Sequence, residues 1–166
     1  MGVKKISLVI SLLLILFVCC KTRNKSADTT AQTTDADSLF VSLDRSPCFG
    51  MCPTFTVNIF KSGYAIYKGK MEVPRIGTDE ARFTKEQLKY FDAAAKDYRV
   101  DTLQSEYINR FIADYPASYS SIVIKGKRHT FHVSTDTPPE NLAQFETTVE
   151  RLIELAQWRK ISDSTQ

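Results

Sequence analysis

The residues best equipped for chemistry lie in one short run, Cys48-Phe49-Gly50-Met51-Cys52-Pro53. Two thiols separated by three residues can act in two ways. In an oxidising compartment they close into a disulfide. Held as an accessible thiolate of lowered pKa, one of them could instead exchange disulfides or bind a soft metal. The neighbours favour the bridge. Phe49, Met51 and Pro53 are apolar, and the nearest cation in sequence is Arg45, so nothing close by stabilises a thiolate. Gly50 permits the tight turn that so small a ring needs. Closing a ring of ~5 residues contributes about 2 kcal/mol by the loop-entropy relation.

Other polar residues form no comparable group. His129 shares a strand face with Phe131 and Val133, which suits a packed, hydrogen-bonded histidine. His132 follows three residues later and points to the other face, so the two cannot serve one ion. Asp101, Glu106 and Asp114 have no spacing that forces their carboxylates together. No serine stands in a nucleophile elbow, and no glycine-rich loop follows a strand to cradle phosphate. The sequence therefore names no catalytic residue and no cofactor, and the expected activity is binding rather than catalysis. Lys125, Lys127 and Arg128 make one hairpin tip basic, suited at most to an acidic partner or lipid headgroups.

The elements that position these residues follow from periodicity. Leu39 to Leu43 reads as a short opening strand. Phe55, Val57 and Ile59 alternate with Thr54, Thr56 and Asn58 in a half-buried strand. Lys61-Ser62-Gly63 turns the chain and Tyr64 to Tyr67 returns it as a hairpin, with Met71-Glu72-Val73 as a possible third strand ended by Pro74. Thr84-Lys85-Glu86-Gln87 fits a capping box, and Leu88, Phe91, Ala95 and Tyr98 mark a helix over 85–98. Leu103, Ile108, Phe111 and Ile112 suggest a second short helix within 101–113. A second hairpin spans 118–134 about a turn at Gly126, and Pro138 and Pro139 open a helix carrying Leu142, Phe145, Val149, Leu152 and Ala156. The expected fold is α+β in two layers: an antiparallel sheet of four to five strands, built from two hairpins, with two main helices on one face. It occupies 39–160 as a single domain, with a frayed tail over 161–166. The sheet face left bare, where Tyr64 or Tyr67 would sit, is the expected contact surface.

The first residues carry a different signal. Lys4 and Lys5 precede an apolar run that reaches 15 residues at Cys20, short of the ~20 that a spanning helix needs. This is the form of a secretory signal, covering 1–19. Leu16-Phe17-Val18-Cys19-Cys20 resembles the lipobox of bacterial lipoproteins, in which the cysteine after the cleavage site is diacylated. The resemblance implies lipidation at Cys20, with Cys19 the alternative; it departs from the family in lacking Gly, Ala or Ser before the cysteine. Residues 20–38 would then be the lipidated cysteine and a disordered tether, since 21–38 hold no aliphatic residue larger than alanine. Eighteen flexible residues reach about 23 Å root-mean-square. The implied location is the bacterial cell envelope, facing the periplasm, on the outer membrane in preference to the inner. The implied partners are the membrane, through that anchor, and an envelope protein. The full chain has 22 basic and 19 acidic residues; without Lys4 and Lys5 the net charge is +1, no footprint for nucleic acid.

The Cys48–Pro53 run, followed by Phe55, Gly63 and Tyr67-Lys68-Gly69 and closed by Trp158, resembles an uncharacterised family of bacterial envelope lipoprotein domains. That family is a domain of unknown function in which Cys-x-Gly-x-Cys-Pro opens a β-hairpin. The resemblance covers roughly 40–160 and implies fold and location but no activity. Cys-x-x-x-Cys-Pro is also similar to the motif of copper-delivery proteins with a thioredoxin-like fold, which add a histidine further along. His129 and His132 follow Cys52 by 77 and 80 residues. This resemblance implies the alternative of a thiol-disulfide or copper-handling protein, with Cys48, Cys52 and His129 or His132 as ligands. Against it, the motif here enters a strand, where that fold places a helix.

Overall fold

The structure, a computed structural model, describes residues 38–112 and 115–162. The signal, both lipidation candidates, nearly all of the tether and Asp114 lie outside the described residues. Within them the elements run β1 (Leu39–Arg45), β2 (Thr54–Phe60), β3 (Tyr64–Met71), β4 (Gly77–Arg82), α1 (Lys85–Asp97), β5 (Glu106–Ile108), β6 (Ser118–Ile124), β7 (Lys127–Ser134), α2 (Glu140–Glu154) and β8 (Arg159–Ser162). All eight strands join one sheet in the order β5-β7-β6-β1-β2-β3-β4-β8.

This sheet corrects the expected four to five antiparallel strands. It has eight, and it is mixed, because β5 runs parallel to β7 with Tyr107 opposite Val133. The two expected hairpins are present, but β1 lies between them and pairs antiparallel with both β2 and β6. Three further strands enlarge the sheet. β4 follows a reversal at Glu72, whose φ is +53°, so Met71-Glu72-Val73 is not a strand of its own. Only Met71 is extended, as the end of β3. The region 101–113 forms no α-helix among its described residues: a 3₁₀ turn over Val100–Thr102 leads into β5, and Phe111 stands fully exposed. At the far edge, β8 pairs with β4 through Asp79 and Lys160.

Both helices lie on one face, as their patterns require. α1 starts with the predicted box: Gln87 N donates to Thr84 Oγ1 at 3.2 Å, and Thr84 N donates to Gln87 Oε1 at 2.7 Å. It buries Phe91, Ala94 and Ala95, and α2 buries Leu142, Phe145, Val149 and Ile153. These meet the inward residues of the central strands, Val41, Leu43, Val57, Ile59, Ala65, Ile122 and Phe131. Asn141 Nδ2 donates to Tyr98 O at 3.1 Å and ties the two helices together. Two glycines are set by close approach. A Cβ on Gly63, at φ +84°, would lie 2.2 Å from Phe83 O, and one on Gly69 would lie 1.7 Å from Arg75 O.

The bare face is largely polar, and several of its side chains bond one another. Register places His132, Tyr119, Asp44, Thr56 and Lys68 in one row across five strands. Tyr119 stacks on His132 at 4.4 Å, Thr56 donates to Asp44 at 2.5 Å, and Ser42 bonds Ser121 at 2.7 Å. Tyr64 stands on this face, donating to Glu80 Oε2 at 3.0 Å. Tyr67 does not: three residues on, it faces the helices.

Candidate interaction surface around the disulfide loop

Residues 46–53 connect β1 to β2. Cys48 and Cys52 are bridged, with Cα atoms 5.8 Å apart, inside the usual range for a disulfide. Gly50, at φ +154°, lets the ring close, and its N–H donates to Cys48 O at 2.9 Å. The base of the loop is pinned to the chain before β6. Ser46 N donates to Ala117 O at 2.9 Å, and Ala117 N donates to Ser46 Oγ at 2.8 Å. The two apolar residues inside the ring face water, Phe49 at 91% and Met51 at 85% exposure.

Beside this loop an arginine enters the covered face of the sheet. Arg45 has the same strand parity as Val41 and Leu43, and there it meets α2: Nη1 donates to Glu146 Oε2 at 3.0 Å and Nε to Glu150 Oε1 at 2.8 Å. Glu146 is 4% exposed and also accepts from Ser118 Oγ at 3.0 Å and Ser120 Oγ at 2.7 Å. A carboxylate removed from water needs such donors. Sequence reasoning missed this network. Its signal was available, since an arginine at an inward strand position calls for a buried acid.

On the other side of Pro53 lies a groove of about 230 Å³ between the 72–76 loop and α2. Phe55, Tyr67, Val73, Ile153 and Trp158 form its apolar lining. Phe55 stacks on Tyr67 at 5.4 Å, and Trp158 tilts against Tyr67 at 5.6 Å. Trp158 is held in that pose by its Nε1–H, which donates to Ile153 O at 2.8 Å. Tyr67 is only 6% exposed, and burial pushes its phenol up to about 12. Its hydroxyl makes no hydrogen bond among the described residues.

The structure does not bring the histidines and cysteines together. His132 is on the bare face against Tyr119. His129 pairs with Ile122, four residues along β6 from Ser118 at the loop base, and it is half-buried on the helix side. Among the described residues no three of His, Cys, Asp and Glu are grouped to hold a metal ion. Asp101 and Glu106 are exposed and apart from the loop.

No curated protein matches the sequence. The family model for a domain of unknown function, DUF6438, matches residues 39–153, from the first residue of β1 into the last turn of α2. The match takes in the bridged loop, the Arg45–Glu146 network and most of the groove, and by it the chain belongs to the DUF6438 family.

Proposed function

We propose that this domain is a non-enzymatic binding module of the bacterial envelope, lipid-anchored at Cys20 (or Cys19) and facing the periplasm, that grips a protein partner with the Cys48–Cys52 loop. One observation carries the reading. A covalently closed ring, pinned at its base to the chain just before β6, presents Phe49 and Met51 almost wholly to water. Rigid display of this kind lowers the ordering cost of association. Aromatic residues and methionine are also enriched where proteins bind one another. On the bare face, the expected contact surface, several side chains are engaged with one another. Anchoring is supported by the first 20 residues, whose charged start, apolar run and paired cysteines fit a lipidated signal.

Two experiments test this reading. Cells given a clickable fatty acid should label the wild-type chain, and a variant with Cys19 and Cys20 both changed to serine should not label. Equal labelling, or none, removes the anchor. Capture from detergent-solubilised envelopes should retain a discrete protein on the wild type and lose it on the Phe49→Asp/Met51→Asp variant, with the melting temperature unchanged. A partner held equally by both would move the contact elsewhere.

A further inference from the structure

Three features of the Trp158 groove point to what fills it. First, it is small. At about 230 Å³ it lies below the ~300 Å³ at which drug-sized ligand sites begin, so it fits one long side chain rather than a cofactor. Second, its lining offers a polar group to an occupant: Tyr67 is more than nine-tenths buried as a residue, but its hydroxyl, which makes no hydrogen bond among the described residues, is open to the groove. An occupant with a hydrogen-bonding backbone or head group would satisfy it, whereas a hydrocarbon chain would leave it unmet. Third, the rim is acidic. Glu72, Glu150 and Glu154 surround it against a single guanidinium, Arg75. Arg45 takes up Glu150, which leaves Glu72 and Glu154 facing Arg75 with one negative charge in excess.

We infer that the groove receives a lysine or arginine side chain from a peptide segment of the partner. Its aliphatic stem lies along Trp158 and Tyr67 and its cation stands at Glu72 and Glu154. Aromatic faces attract a cation placed over them, and long basic side chains bury their stems while keeping the charge at the rim. Pro53 lines this groove and directly follows the disulfide ring, so a segment gripped by Phe49 and Met51 would have a short path into it. The chain's own last residues, Asp163-Ser164-Thr165-Gln166, offer neither a cation nor a large apolar group. Its basic run Lys21, Arg23 and Lys25 is the internal rival. The inference rests on the reading of the domain as a protein-binding module and names the chemistry of what it binds.

The test is selection of a random decapeptide phage library on the full mature chain, followed by fluorescence polarisation with the enriched peptides. Lysine or arginine should be enriched beside an apolar residue. Glu72→Lys/Glu154→Lys, which alters only exposed side chains, should weaken binding roughly tenfold or more, and added salt should weaken it too. Tyr67→Phe should weaken it roughly fivefold while the fold is kept. Enrichment of peptides without basic residues, or equal affinity for the charge-reversed variant, overturns the inference. So does competition by phosphatidylglycerol vesicles alone, which would make the groove a lipid site. Much tighter binding by the Lys21→Ser/Arg23→Ser/Lys25→Ser variant would give it to the chain's own tether. If no peptide is enriched while Phe49-dependent capture succeeds, this inference fails and the binding reading stands. If both fail, the binding reading fails with it.

Discussion

Glu146 and Asp79 are both carboxylates buried on the helix side of the sheet, and the structure treats them in opposite ways. Glu146 sits where β1, β6 and α2 converge and accepts hydrogen bonds from Arg45, Ser118 and Ser120. Asp79, on β4, is 1% exposed, and neither of its oxygens accepts a hydrogen bond among the described residues. Its nearest cation is Lys160 Nζ at 3.9 Å, and that ammonium also donates to Ile76 O. One acid is knitted into three elements; the other is only covered by an edge strand. The disulfide end of the molecule is therefore cross-linked through a buried side-chain network, and the β4–β8 edge is held by backbone pairing with exposed links from Arg159 to Glu80 and Lys160 to Ile76 O.

If that contrast is right, the largest effect comes from breaking the knitted site. Glu146→Ala leaves Arg45 Nη1 and two serines without their acceptor, with Glu150 still on Arg45 Nε, and should cost ~3–5 kcal/mol in urea unfolding. A loss under ~1 kcal/mol would mean that Glu150 takes over Arg45. Next in size, changing Cys48 and Cys52 together to serine should cost about 2 kcal/mol with an unchanged circular dichroism spectrum. Combined with Glu146→Ala, the losses should add within ~0.5 kcal/mol if loop and network act independently.

The remaining tests probe the weaker edge. Tyr67, opposite Asp79 across β3 and β4, has its phenol raised by burial to about 12 from an ordinary value of 10. The unfolded chain therefore loses this proton first. The stability tied to it is full below pH 10 and lost as pH rises towards 12. Ultraviolet difference absorbance should show Tyr67 titrating last, with Tyr64 also raised by its hydrogen bond to Glu80, and Tyr67→Phe should remove the last phase together with the alkaline loss tied to it. Smallest of all, Asp79→Asn should shift stability by less than ~1 kcal/mol, since it gives up no hydrogen bond and only a long ion pair. A loss of ~3 kcal/mol or more would show that Lys160 supports Asp79 as Arg45 supports Glu146.

What could be seen in the sequence was what is encoded locally. Thr84 and Gln87 cap α1 because the box is four residues long, and Phe55, Val57 and Ile59 turn inward because strand parity is strict. β4 was invisible for a physical reason: its inward residues are Gly77, Asp79 and Ala81, which give no apolar alternation. β5 is three residues long and exists only through β7, some 25 residues away, while β8 is extended by pairing with β4 and by Arg159 reaching Glu80. The same distance rule governs the site. The cysteines are four apart and could be paired on sight. The groove draws Pro53, Tyr67, Val73, Ile153 and Trp158 from separate stretches of chain, and no local pattern announces it. Of the alternatives Tyr64 and Tyr67, strand parity allows only one on the bare face, since residues three apart cannot share a face, and it is Tyr64 that stands there.

The place of β1 has a mechanical meaning. The chain before Leu39 enters at one end of this strand, and the Cys48–Cys52 loop leaves from the other, seven residues or about 20 Å away. β1 is fourth of eight strands, hydrogen-bonded along both sides. A pull between the N-terminal segment and anything gripping the loop would run along the strand's own axis. The load would pass through the already extended covalent backbone of β1 while the bonds to β2 and β6 hold that strand in place, and the bridge would keep the loop itself from paying out. The central strand is thus a tension member, set between the two points at which this domain would be held.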